Sequence, residues 1–361
     1  MIFDDVLEIK NGRNQKAVEN PNGKYPIYGS GGIMGYADDY ICDADTVVIG
    51  RKGNINNPIY VDEPFWNVDT AFGLQAKKSV LSPRYLYYFC KNYDFERLNK
   101  TVTIPSLTKH DLLNIKIDLP NLDEQQSVVG QLYRIERIIG FRNNELEKLD
   151  YLIKARFVEL FGDPEINPKR WEQVTLDDVC SSIIRGPFGS ALKKEFFVEP
   201  SGTTYKVYEQ KHAIQKSAEI GTYYVTEGKF QELKRFECVA GDILMSCSGT
   251  MGELYQLPKG CEKGIINQAL CKFTLNERIL PICFLTYMKE TIGNLETKGS
   301  GIKNIAAVSY VKQMPINLPP MSVQEEFDAF CKKVDKSKAA VQESLDKAQL
   351  LFDSLMQKYF G

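Results

Sequence analysis

Of all the stretches in this 361-residue chain, Asn57-Pro58-Ile59-Tyr60 comes nearest to a reactive motif. Enzymes that methylate an amine grip it with Asn or Asp, two prolines and an aromatic residue, and here the third position is isoleucine. Their cofactor loop lies where a strand turns into a helix. Gly29-x-Gly31-x-x-x-Gly35 follows a strand-like stretch, but Tyr36-Ala37-Asp38-Asp39 comes next, which is no apolar helix. A turn closing a strand accounts for both motifs.

Other chemistries fare no better. There is no Gly-x-Ser-x-Gly elbow and no phosphate-binding P-loop, and His110 and His212 are the only histidines. The nine cysteines are odd in number, scattered and without a Cys-x-x-Cys, which predicts free thiols in a reducing cytoplasm. A metal nuclease needs clustered carboxylates, whereas Asp45 and Asp242 recur at matching strand starts, as turn residues would. The expectation is therefore no catalytic residue, no metal and no cofactor.

What remains is donor chemistry on loops. Glycine lets backbone approach a phosphate, while Arg, Lys, Asn, Ser and Thr donate to phosphates and base edges. In the first half the candidates are Ser30, Arg51, Lys52, Asn54, Thr103 and Lys109. In the second they are Arg185, Ser190, Lys193, Ser248, Lys298, Ser300 and Lys303. A single such loop is ordinarily a solvated turn. Their occurrence at matching places in two halves is the stronger signal.

The elements that hold these loops are organised by a repeat. Leu119-Pro120, Gln125 and Phe161-Gly162 recur as Leu318-Pro319, Gln324 and Phe360-Gly361, each 199 positions later with no gap. Each copy reads as a long helix. Asp123 with Gln126, and Ser322 with Glu325, fit a capping box. Apolar residues follow in alternating steps of three and four, interrupted by Arg142 in the first copy and by one stutter, Val341 to Leu345, in the second. From Asp123 to Phe161 such a helix would span about 58 Å. A helix that long needs a partner for its stripe, and its own copy is the natural one.

The stretches around the helices repeat as well. Asp4-Asp5-Val6 is answered by Asp177-Asp178-Val179, Asp45-Thr46-Val47-Val48 by Asp242-Ile243-Leu244-Met245, and Asp69-Thr70-Ala71-Phe72 by Asn267-Gln268-Ala269-Leu270. The reading is an α+β protein with a pseudo-two-fold internal repeat. Two mixed α/β domains, 1–119 and 165–318, alternate with two helices, 120–164 and 319–361, which pair as an antiparallel coiled coil. Apolar content of 43% and charged content of 25% suit a globular chain, and no apolar run reaches a membrane span. With a net charge of −2, bulk charge does not announce a nucleic-acid binder, so DNA binding has to rest on local arrangement.

The layout resembles the specificity subunit of type I restriction–modification systems over essentially the full length. The residues that carry the resemblance are Ile117-Asp118-Leu119-Pro120 leading to Glu124-Gln125-Gln126, Ile316-Asn317-Leu318-Pro319 leading to Val323-Gln324-Glu325, Tyr28-Gly29-Ser30-Gly31-Gly32, and Gly241-Asp242-Ile243-Leu244-Met245. Val323-Gln324-Glu325 departs slightly from the usual Glu-Gln. The resemblance implies two target recognition domains, each reading half of a bipartite site in double-stranded DNA, with the helices as spacer. It also implies docking of two modification (methyltransferase) subunits, which carry S-adenosylmethionine, and of restriction subunits in the full complex. The chain itself would be cytoplasmic and non-catalytic. A protein-binding adaptor and a stand-alone DNA methyltransferase are the alternative readings.

Overall fold

The computed structural model describes residues 1–101, 103–296 and 308–361. The chain divides into two compact units, Met1–Glu145 with Ala340–Gly361, and Leu146–Ala339. No helix among the described residues is long and apolar enough to cross a membrane.

Unit 1 opens with a one-turn helix α1 (Phe3–Val6) and strand β1 (Leu7–Asn11). A hairpin follows, β2 (Tyr25–Gly29) and β3 (Gly32–Ala37), then β4 (Thr46–Gly50), β5 (Ile59–Val61), β6 (Trp66–Asn67) and β7 (Ala71–Ala76). Helices α2 (Pro83–Asn92), α3 (Lys109–Leu113) and α4 (Leu122–Phe161) complete it, the last of these continuing into the other unit's residues. The central sheet runs β1-β7-β4-β5, antiparallel throughout. β4 is buried along its whole length, as its run Thr46-Val47-Val48-Ile49-Gly50 predicts. A second sheet, β3-β2-β6, contains one parallel pair, with Ile27 opposite Trp66.

Unit 2 contains β8 (Glu172–Thr175), α5 (Leu176–Val179), β9 (Cys180–Arg185), β10 (Thr204–Tyr208), α6 (Gln210–Gln215), β11 (Tyr224–Thr226), α7 (Glu227–Glu232) and β12 (Glu237–Cys238). Then come β13 (Ile243–Ser246), β14 (Leu254–Gln256), β15 (Gly264–Ile266), β16 (Leu270–Leu275), α8 (Pro281–Glu296), α9 (Val308–Lys312), β17 (Pro315–Leu318) and α10 (Met321–Phe360), whose residues from Ala340 onward belong to unit 1. Its central sheet, β9-β16-β13-β14, has the strand order and antiparallel sense of the unit 1 sheet. Its second sheet also holds one parallel pair, β10 with β15, and is larger by the stretch that carries α6 and α7.

Register corrects two of the sequence correspondences by one residue. Asn11 and Ile49 both face Phe72, while Arg185 and Met245 both face Cys271. Phe72 therefore answers Cys271, not Leu270, and Thr46 answers Asp242. The counterpart of Asp45 is Gly241, and these two share a left-handed backbone, with φ of 65° and 95°. Asp45 and Asp242 are thus not the same turn residue twice. Alternating strands look alike one residue out of step, so sequence could not set this register.

Each unit is locked by one buried glutamine. The Gln125 side-chain carbonyl accepts from the Ser82 N–H at 2.8 Å, and its amide donates to the Val80 and Pro120 carbonyls at 3.0 and 2.9 Å. Gln324 does the same with the Leu280 N–H at 2.9 Å and the Arg278 and Pro319 carbonyls at 2.9 and 3.0 Å. Each therefore satisfies backbone at the start of α2 or α8 and at the start of its own long helix.

The long helices begin earlier than the capping pattern suggested. Asn121 and Glu124 form the reciprocal cap of α4, so Asp123 lies inside the helix. α10 starts at Met321 after Pro320, whose carbonyl accepts from the Val323 N–H, so Ser322 is not a cap. In α4 the apolar seam is as read, with Val128, Leu132, Ile135 and Phe157 buried. In α10 it passes through Cys331 and Met356 beside Phe327, Val334, Val341 and Phe352, and Ser337 is exposed.

Within unit 1, Tyr359 donates to Gln131 at 3.2 Å and Arg142 to the Ser344 hydroxyl at 3.2 Å. Within unit 2, Lys338 pairs with Asp150 and Arg156 with Glu326, while the Phe161 and Phe327 rings lie 5.5 Å apart. In unit 1, ascending numbers on α4 meet descending numbers on α10, and in unit 2 Asp150 meets Lys338 while the later Arg156 and Phe161 meet the earlier Glu326 and Phe327. Arg142, the interruption in the seam, finds a hydroxyl partner instead of an apolar one.

Candidate nucleic-acid interface

In unit 1 the polar loops gather behind the end of β4. The Arg51 N–H donates to the Thr70 carbonyl at 2.8 Å, and the Leu107 N–H to the Arg51 carbonyl at 2.9 Å. The Gly53 N–H reaches the Pro105 carbonyl at 2.9 Å, and Lys52 bridges to Ser106. Loops 51–54 and 103–107 are thereby laced together, with Arg51, Lys52, Asn54 and Thr103 exposed on them. Ser30, at the tip of the β2–β3 hairpin, joins them. Its Cβ lies 3.1 Å from where a Cβ on Gly50 would sit, so the glycine permits the approach. The Arg51 guanidinium is 5.7 Å from the centre of the Phe72 ring. Lys109 stands apart, because its ammonium donates to the Ile9 carbonyl at 2.9 Å.

Gly12 and Gly186 close β1 and β9 in the same way. A Cβ on either would fall within 1.8 Å of the Val68 carbonyl oxygen or 1.9 Å of that of Asn267. Only glycine fits at either place. Arg13 follows Gly12, and its carbonyl accepts from the Trp66 indole N–H at 3.0 Å.

In unit 2, Arg185, Ser190 and Ser248 line one open cavity of about 810 Å³, together with Arg235, Gln268 and Phe188. Arg185 donates to the Gln268 carbonyl at 3.3 Å. Gln210 holds the Ser248 and Thr250 carbonyls, tethering the loop behind β13. Beneath it the Cys247 thiol is held below its ordinary pKa, first by a bond from Cys271 and also by the Arg185 charge, while that of Cys271 is pushed up. Lys193 lies 3.8 Å from Glu195. Lys298, Ser300 and Lys303 lie outside the described residues.

The fold thus brings together Ser30, Arg51, Lys52, Asn54 and Thr103 in one unit, and Arg185, Ser190 and Ser248 in the other. Sequence reading missed Arg235 and Gln268, which line the unit 2 cavity. Arg235, on the turn Lys234–Phe236, carries no motif. Among the described residues no group of His, Cys, Asp or Glu is arranged to hold a metal ion.

The Asp residues once weighed for metal chemistry are committed locally. Asp45 accepts from Lys78 and Tyr60 at 2.7 Å each, and the Lys78 bond, ahead of that from Tyr60, holds its carboxyl below the usual range. Asp242 is buried against Lys272 at 3.2 Å and the Thr274 hydroxyl at 2.5 Å.

Comparison with known proteins bears on this arrangement. The type I restriction modification DNA specificity domain matches residues 3–151 and again 168–349. A protein of Haemophilus influenzae named as a type I restriction enzyme specificity subunit is 22% identical over 96% of this chain and 90% of its own length. A Methanocaldococcus jannaschii protein of the same designation is 23% identical over 76% of this chain and 67% of its own. Among solved structures, the type I S subunit from M. genitalium superposes with a TM-score of 0.61 at 17% identity, covering 100% of this chain and 95% of that one. A chain from work on assembly and conformational transition of a type I system gives 0.60 at 16%, covering 100% and 96%. At such identities the structural likeness bears on the fold alone.

Proposed function

The chain belongs to the type I restriction–modification DNA specificity family, and on that premise we propose that it is a non-catalytic reader of a bipartite DNA site. Domain 1–119 reads one half-site and domain 165–318 the other. The helical segments 120–164 and 319–361 pair as an antiparallel coiled coil that sets the spacer and docks two modification subunits, with restriction subunits joining in the full complex. The observation that carries the reading is the gathering of Arg, Lys, Ser and amide groups at the end of one sheet order, found separately in each unit. Such groups suit phosphates and base edges. Phe141, Tyr151 and Leu350, exposed on the long helices at 62%, 72% and 72%, suit protein partners.

The test is duplex binding by the chain assembled with its modification subunits. Affinity should fall steeply with salt, because phosphate contacts release counterions. Arg51→Ala with Lys52→Ala should weaken one half-site only, by roughly 1–3 kcal/mol for a base contact, or by less with a shallower salt slope for a phosphate contact. An assembled complex with no salt-sensitive affinity for duplex DNA would make the chain a protein adaptor instead.

A further inference from the structure

We propose that the Phe188 ring is a wedge that enters the duplex between adjacent base pairs of the half-site read by unit 2. This rests on the DNA-reading proposal above and adds a mode of contact to it. Phe188 is 90% exposed, and no large apolar side chain among the described residues is more so.

The ring is displayed by a loop fixed on both sides. Before it, the Gly186 N–H donates to the Leu270 carbonyl at 3.0 Å, and Pro187 limits the backbone. After it, the Ala191 N–H donates to the Phe188 carbonyl at 2.9 Å. Gly189 packs so closely on Gln268 that a Cβ there would sit 2.8 Å from the side-chain oxygen. The ring is therefore held out in advance, which lowers the ordering cost of inserting it.

The surroundings select the partner. Arg185, Arg235, Ser190, Ser248 and Gln268 line the adjoining cavity, and no carboxylate does so among the described residues. Cations and amide or hydroxyl donors around one apolar ring match a polyanion whose stacked bases are apolar on their faces. Wedges of this kind partly unstack a base step and are repaid by the extra contacts that the kink allows.

The experiment uses the full chain assembled with its modification subunits and duplexes carrying 2-aminopurine at successive positions of the unit 2 half-site. Wild type should brighten the probe at one step. Phe188→Ala should abolish that signal and weaken binding on the order of ten- to a hundredfold, while Phe188→Leu should keep part of both. An alanine variant with unchanged signal and affinity would overturn the wedge. So would one that loses only its modification subunits, since the ring would then be a protein contact. Wild type without any duplex affinity would instead overturn the DNA-reading proposal itself.

Discussion

Where the central sheet ends, unit 1 carries Asn11 on one strand and Arg51 behind another. At the two corresponding positions unit 2 carries Arg185 and Cys247. The cation has changed strands. Cys247 is fully buried, so the counterpart of exposed Arg51 offers nothing to a ligand, and the next pair sets Lys52 against Ser248. The frame around these positions is the same in both units, down to Gly12 and Gly186 against equivalent carbonyls. A fixed frame with exchanged donors can present two different patterns to two different sequences. The second sheets carry the contrast further, because unit 2 alone adds α6 and α7.

The frame is where the comparison should be hardest to break. Gln125→Leu and Gln324→Leu each remove three hydrogen bonds and leave buried backbone groups unpaired. Each should destabilise its own unit by about 3 kcal/mol, read as faster amide exchange confined to that unit. Unequal effects would show that the two locks, though alike in geometry, do not carry the same weight.

A smaller effect should separate the units by pH. His212 is buried in unit 2, where Nδ1 accepts from the Glu209 N–H at 2.8 Å and Nε2 meets the Ile220 carbonyl at 2.7 Å. Burial makes its protonation harder than in the unfolded chain, so its pKa is lowered from 6.5. The unfolded state then takes up the proton first. The stability His212 contributes is complete above pH 6.5 and declines as the pH falls toward the lowered folded value. Amides around α6 should exchange faster at pH 5 than at pH 7.5 after correction for intrinsic rates, and those of unit 1 should not follow. A His212→Gln chain should lose that slope. A slope that persisted in the variant would place its origin elsewhere.

Much of this frame was legible in the sequence because it depends on spacing. The 199-residue offset that relates Leu119 to Leu318 and Phe161 to Phe360, and the α4 stripe interrupted at Arg142, needed only period and distance. Strand register was not legible. Asp45 and Asp242 look equivalent in sequence, and only the pairing across Phe72 and Cys271 shows the true partner to be Gly241. The candidate interface was legible where glycine-rich turns announced it, at Ser30, Arg51 and Ser190. It was not legible where tertiary contacts decide the matter. Lys109 resembles any exposed lysine until its ammonium is seen on the Ile9 carbonyl, and Arg235 comes to the unit 2 cavity from a turn with no motif. Phe188 could have been a core residue, and only its 90% exposure says otherwise.

The central claim is that two similar frames read two unrelated half-sites independently. The most direct test replaces residues 165–318 with the corresponding stretch of another family member, in cells that supply the modification subunits, followed by methylome sequencing. One half of the methylated motif should change, while the other half and the spacer length stay as they were. A motif altered in both halves at once would contradict the account.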